Sequence, residues 1–269
     1  MTTLETTATK QQGIVKKVYQ AFFGPSRYEV KPSDKETLEW GNSYRIPSDR
    51  GELAVTTWGN NGPAVLLMHG WGGARAQMTG FVDPLLFAGY RVVAYDQPAH
   101  GESDGKMTNL LEIAPTMDLI AKQEGPFDAI IAHSFGTLIT SYAIVKRDFP
   151  PPSKLVYFGA FNRLMDSLPR FQIAADLPNE VINGLRDMIY ENFGRGVLDA
   201  IVNEDLIQHI NIPALMFHDA ADNVTTVEDS RAIARAWKNA RYVETNGLGH
   251  RGALQSKEIH EQVIKFLKG

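Results

Sequence analysis

Between residues 63 and 160, short apolar runs and helical stretches alternate without a break, and this alternation constrains the fold more than any other feature of the chain. Pro63–His69, Arg91–Asp96, Phe127–Ala132 and Lys154–Ala160 read as strands, with helices expected over about 75–88, 109–123 and 135–147. Pro63–His69 is continuously apolar, as a strand buried on both faces must be. Strands spaced in this way imply a parallel sheet, because each parallel pair needs a long crossover and a helix makes one compactly. Ahead of this region, Tyr44–Pro47 and Glu52–Trp58 read as two strands joined by a turn at Ser48–Gly51. The alternation stops at residue 161, where helical periodicity around Val181–Phe193 and Val197–His209 takes over. It resumes with Ala214–His218 as a strand, a helix over about 227–238, a strand at Arg241–Glu244 and a helix over about 253–268. The expected fold class is α/β, a doubly wound, mostly parallel sheet interrupted by a helical insertion.

Residues 1–35 read as an N-terminal extension, a polar tail (Met1–Lys10) followed by a short amphipathic helix. Its apolar stripe is Ile14, Val15, Val18, Tyr19 and Phe22, and it is expected to dock on the body of the protein rather than on a membrane surface or a partner. The sheet core is then expected at 36–160 and 211–269, with the insertion at 161–210. The chain has no cysteine, which excludes disulfides, thiolate metal sites and a cysteine nucleophile together. A net charge of -4, without a basic stripe carrying aromatics, gives no reason to expect a nucleic-acid partner. No apolar run approaches the ~18 residues needed to cross a bilayer, and the N-terminus lacks the charged-then-apolar pattern of a secretory signal, so a cytoplasmic location without integral membrane association is expected. No His/Asp/Glu cluster has metal-ligand spacing, and neither a metal nor a cofactor is expected. Nothing in the sequence specifies an oligomeric state.

A doubly wound sheet presents its chemistry at the carboxyl ends of its strands, and four such ends are chemically loaded. The first is His69-Gly70-Trp71-Gly72-Gly73, where glycines let backbone amides approach a ligand and hold a developing anion. A phosphate loop is the competing reading, but neither G-x-G-x-x-G nor a lysine-bearing P-loop is present. The second is Ala132-His133-Ser134-Phe135-Gly136, where an apolar strand runs straight into a serine and a helix opens behind it. A tight strand-to-helix turn of this kind exposes one hydroxyl as a nucleophile, with the amide of Phe135 placed to donate to an oxyanion. Ala132 stands where the usual G-x-S-x-G motif has its first glycine, a departure of one methyl. The third is His218-Asp219-Ala220-Ala221-Asp222-Asn223. Either aspartate could orient a histidine base, with Asp222 further along the loop and better placed to reach across. The fourth is Gly247-Leu248-Gly249-His250, whose histidine is the candidate base.

The chain order Ser134, Asp222, His250 is one of the recognised orders of a serine triad. With these four loops and the Asp96-Gln-Pro-Ala-His-Gly-Glu-Ser-Asp104 segment, residues 44–269 resemble the α/β-hydrolase fold family, in particular its serine carboxylesterases with a helical cap. The resemblance implies that the amides of Trp71 and Phe135 form the oxyanion hole and that 161–210 is a cap over the site. Inward-facing cap residues, among them Phe161, Met165 and Phe171, would form with Trp71 a mostly apolar substrate pocket. The expected activity is hydrolysis of a small to medium apolar ester through an acyl-enzyme. A thioesterase, an amide or C–C bond hydrolase with the same triad, and a non-catalytic ligand binder are the alternatives. Haloalkane dehalogenases and epoxide hydrolases of this fold carry an aspartate at the elbow, where this chain has Ser134. Of the other histidines, His69 and His100 are expected to brace their loops, His133 to fill the variable position before the serine and His218 to be structural. His209 and His260 are expected at the solvated surface.

Overall fold

The computed structural model describes residues 3–147 and 149–269, so the expectation for Met1 and Thr2 lies outside the described residues. Helix α1 (Thr3–Phe23) is followed by α2 (Pro32–Trp40), a hairpin of β1 (Asn42–Ser48) and β2 (Gly51–Trp58), and β3 (Ala64–Met68). A 3₁₀ segment over Arg75–Phe81 leads into α3 (Val82–Phe87), β4 (Arg91–Tyr95), α4 (Leu110–Glu124), β5 (Phe127–His133), α5 (Phe135–Lys146) and β6 (Lys154–Phe158). Four helices, α6 (Ser167–Ala174), α7 (Asn179–Phe193), α8 (Arg195–Asp199) and α9 (Asn203–Leu206), then precede β7 (Ala214–Asp219). The chain ends with α10 (Val227–Ala236), β8 (Ala240–Thr245), α11 (Gly249–Gly252) and α12 (Lys257–Lys268).

The eight strands form one sheet in the order β1-β2-β4-β3-β5-β6-β7-β8. The β1–β2 and β2–β4 pairs are antiparallel and the other five are parallel. The apolar run of β3 splits by the two-residue period of a strand: Ala64, Leu66 and Met68 face one layer, Val65 and Leu67 the other. One layer holds α4, α5 and α10, and the other holds α3 and α12. Because β3 is flanked by β4 on one side and β5 on the other, the strand order reverses there, and a crevice opens at the carboxyl ends of β3 and β5. Those ends carry His69–Gly73 and Ser134.

Several expected elements differ from those observed. Helix α1 runs back to Thr3, through the segment read as a polar tail, because a docked C-terminal half makes each further helical residue cheap to add. Its docked face is Val15, Val18, Tyr19, Phe22 and Phe23, with Ile14 turned to solvent. Helix α2 was not expected; it buries Asp34, bonded to Tyr28 Oη at 3.1 Å, rather than an apolar stripe, so it lacks the periodic signal. The single helical stretch expected over Val197–His209 is broken into α8, α9 and a 3₁₀ turn, because residues 201–203 run extended beside 162–164. Asn203 N–H donates to Asn162 O at 2.7 Å and Leu164 N–H to Ile201 O at 3.1 Å, which laces the two ends of the helical segment together. The C-terminal helix is likewise interrupted, at the extended Ser256.

A buried ion pair fixes the loop after β3. The Arg75 guanidinium binds Asp96, fully buried at the end of β4, and reaches Thr56 Oγ1 at 2.9 Å and Glu102 Oε2 at 2.5 Å. The Arg75 amide also donates to Asp96 Oδ1 at 2.6 Å. Arg75→Met is expected to lower stability by about 3–5 kcal/mol, since it leaves a buried carboxylate uncompensated. A urea midpoint within error of wild type would contradict this.

Candidate active site

Ser134 sits between β5 and α5 with φ 53° and ψ −124°, a positive φ that a side chain rarely adopts. Neighbouring bonds hold this strain: its N–H donates to Phe158 O at 2.8 Å, and its carbonyl accepts from Thr137 N–H at 3.0 Å and Thr137 Oγ1 at 2.7 Å. Two glycines make room for the turn. A β-carbon on Gly136 would lie 2.6 Å from His69 O, and one on Gly70 would lie 2.8 Å from Ser134 Cβ. Ala132, by contrast, is accommodated in the buried body of β5. Phe135 is the first residue of α5, where backbone amides have no partner within their own helix.

The third and fourth loops meet beside this turn. His250 Nδ1 lies 2.7 Å from Asp222 Oδ2, and the Asp222 side chain is almost fully buried. Asp222 Oδ1 accepts from the amides of Val224 and Thr225 at 2.8 and 3.0 Å, and Oδ2 from Thr225 Oγ1 at 2.9 Å. His218 Nε2–H adds a further approach to Oδ2 at 3.3 Å, while its Nδ1 lies 2.7 Å from Ser230 Oγ. Burial would raise the Asp222 carboxyl, but the bonds from His218 and His250 and the nearby His250 charge outweigh it and hold it well below the usual carboxylate range.

Asp219 is not brought to His250. Its Oδ1 accepts from the amides of Ala221, Gly247 and Gly249 at 3.0–3.1 Å, and its Oδ2 from Leu248 N–H at 3.0 Å and Thr245 Oγ1 at 2.8 Å. It shapes the loop that carries His250. His133 supports the same loop from the other side, its Nε2–H donating to His250 O at 2.9 Å. Burial pushes His133 down to about 3, so the ring is neutral.

Ser134 and His250 line a cavity of about 550 Å³. Trp71, Phe161, Met165 and Phe171, the four residues expected to form a pocket, line it as well. Trp71 meets Phe135 edge-on at 5.7 Å, and Phe135 meets Phe161 at the same separation. Arg170 lies 4.8 Å over the Phe161 ring and is bound to Asp229 Oδ2 at 2.5 Å. His69 braces its loop as expected, donating from Nδ1 to Gly70 O at 2.8 Å and accepting from Gln97 N–H at 3.1 Å. His100 Nδ1–H donates to Pro98 O at 2.9 Å. His209 is exposed, but His260 is buried against Phe81 and bonded to Leu254 O, so its expected surface place is corrected: helix α12 turns that face to the core. Among the described residues, no group of three or more His, Asp and Glu is arranged to hold a metal ion.

The model of the alpha/beta hydrolase family matches residues 64–262, about three quarters of the sequence. The chain belongs to the alpha/beta hydrolase family. A non-heme haloperoxidase of Rhodococcus erythropolis is 24% identical, in an alignment covering 82% of this hydrolase-family chain and 97% of that protein. A bifunctional esterase/perhydrolase of Acinetobacter calcoaceticus is 23% identical, over 84% and 99% of the two chains. Among solved structures, the esterase Pf2001 of Pyrococcus furiosus superposes with a TM-score of 0.69 at 21% identity, over 91% of this chain and 97% of that one. The last likeness is one of fold. Among the described residues no helix is long and apolar enough to cross a membrane.

The sequence reading names His218, His133 and Phe22 but not the contacts they make at the site, and it does not single out Phe23. His218 stands four residues from Asp222, a spacing that could have drawn attention to it. His133 acts on a main-chain carbonyl 117 residues away, which has no sequence signature. Phe22 and Phe23 of α1 also line the cavity.

Proposed function

We propose that the protein is a serine carboxylic ester hydrolase acting on small to medium apolar esters through an acyl-enzyme, with residues 161–210 as the cap over the site. The observation that carries this reading is the Asp222–His250 contact at the edge of the cavity that Ser134 lines. With Nδ1 of His250 engaged by Asp222, Nε2 is the nitrogen left to act as base. It takes the proton of Ser134 as Oγ attacks the ester carbonyl, and the amides of Trp71 and Phe135 bind the oxyanion. As the tetrahedral intermediate collapses, His250 gives that proton to the departing alcohol. His250 then takes a proton from water, whose oxygen attacks the acyl-enzyme, and returns it to Ser134 Oγ as the acid is released. The apolar walls of Trp71, Phe161, Met165 and Phe171 suit an apolar substrate, and the relative named an esterase/perhydrolase is consistent with ester hydrolysis.

A fluorophosphonate probe is expected to label the wild-type protein at Ser134 and to leave Ser134→Ala unlabelled. Hydrolysis of nitrophenyl esters should be lost in parallel. Absence of labelling in the folded wild type, or equal labelling of the variant, would refute the assignment.

A further inference from the structure

The region matched by the family model begins at residue 64, so α1 lies outside it. Helix α1 is nevertheless built into the cavity. It packs along α7, where Val15 lies against Gly184 so closely that a β-carbon there would stand 2.8 Å from Val15 Cγ2. Its C-terminal turn then presents two aromatic rings to the helical segment: Phe22 meets Phe171 edge-on at 5.3 Å, and Phe23 meets Phe193 at 5.7 Å. All four rings line the cavity that Ser134 and His250 share.

The position of these rings is fixed relative to the site. Phe23 O accepts from Thr108 N–H at 2.8 Å, directly before Asn109 and Leu110, which also line the cavity. Just beyond the helix, the Arg27 guanidinium is bound to the carbonyls of Gly101, Ser103 and Gly105 in the loop after β4. Displacing α1 would therefore remove one wall of the cavity while leaving the sheet that carries Ser134 intact.

We propose that α1 is a wall of the acyl-binding cavity and that Phe22, with Phe23, limits the length of acyl chain the enzyme accepts. This rests on the ester-hydrolase reading above. The acyl half, which bonds to Ser134 in the first step and is released in the second, is the half assigned to this wall, and it is the half that the ester series below varies. Truncating Phe22 frees space of several methylenes, and Trp in its place takes space away. Phe22 is only half-buried, so both substitutions are compatible with the fold.

The experiment is a series of nitrophenyl esters from acetate to laurate, read as the ratio of kcat/KM for decanoate to that for butanoate. Phe22→Ala is expected to raise this ratio roughly tenfold or more, and Phe22→Trp to lower it by a similar factor. Gly184→Leu, which pushes on Val15 from α7 without lining the cavity, should move the ratio in the same direction as Phe22→Ala. Ratios within twofold of wild type in both Phe22 variants, in enzyme that still labels with fluorophosphonate, would overturn the role of α1 and leave the esterase reading standing. A wild type that neither labels nor hydrolyses any member of the series would overturn both.

Discussion

Ser134→Ala is expected to lower turnover of a nitrophenyl ester by about 10⁶-fold and Asp222→Asn by about 10⁴-fold, with KM little changed in either. The two losses differ in kind. In the proposed mechanism no acyl-enzyme can form without Oγ, and only the proposed oxyanion amides and substrate binding remain to speed direct attack by water. Asparagine at 222 keeps the shape of the carboxylate but presents a neutral amide to His250, so nothing offsets the imidazolium charge and the ring loses its correct tautomer. Asp219→Asn is the informative contrast. Asp219 accepts five hydrogen bonds within its own loop and the His250 loop, and none from the ring. Its substitution should reduce thermal stability and cost far less turnover than Asp222→Asn. If the two activities fell in the opposite order, Asp219 would be the working acid.

Lowering the pH is expected to unfold the protein before most of its carboxylates titrate. Burial holds His69 at about 4, and His100 and His133 at about 3, against an unfolded value of about 6.5. The unfolded chain therefore takes up three protons that the folded chain refuses. Their contribution to stability is fully present above pH ~6.5 and is lost as the pH falls through the range down to the folded values. Each histidine costs about 1.4 kcal/mol per pH unit in that range, so the three together cost about 4 kcal/mol per unit between pH 6 and 4. A domain with ~5–15 kcal/mol of stability cannot withstand that for long. Circular dichroism should show an acid transition centred above pH 4, and urea midpoints should fall steeply from pH 6.5 downward. A urea midpoint unchanged between pH 7 and 5 would show that these rings are protonated in the folded state.

Much of this architecture was legible in the sequence because the strongest signals reflect burial and backbone geometry. β3 is apolar throughout because helices cover both its faces, and the parallel sheet sends His69–Gly73, Ser134, Asp222 and His250 to one edge. The spacing of Ser134, Phe135 and Gly136 reflects a turn with no room for a side chain at Gly136. Contacts between distant segments were harder to read. The stripe on α1 announced that a face would be buried, but not that α7 would cover it or that Phe23, outside the stripe, would be buried while Ile14 was exposed. The link from His133 to the His250 carbonyl depends on two loops meeting in space. Helix α2 was missed because it packs through a hydrogen-bonded Asp34, although Pro32 and Asp34 at its start carry the marks of a helix N-terminus.

The docking of α1 on α7 also has a consequence for biosynthesis. Helix α1 leaves the ribosome well before α7, and the surface that covers it, at residues 179–193, is made more than 150 residues later. At about 5–20 residues per second, its aromatic end must wait on the order of ten seconds or more without its final neighbours. A segment made early is thus sheltered late, and an interrupted chain that stops before α7 would leave Phe23 without the Phe193 ring.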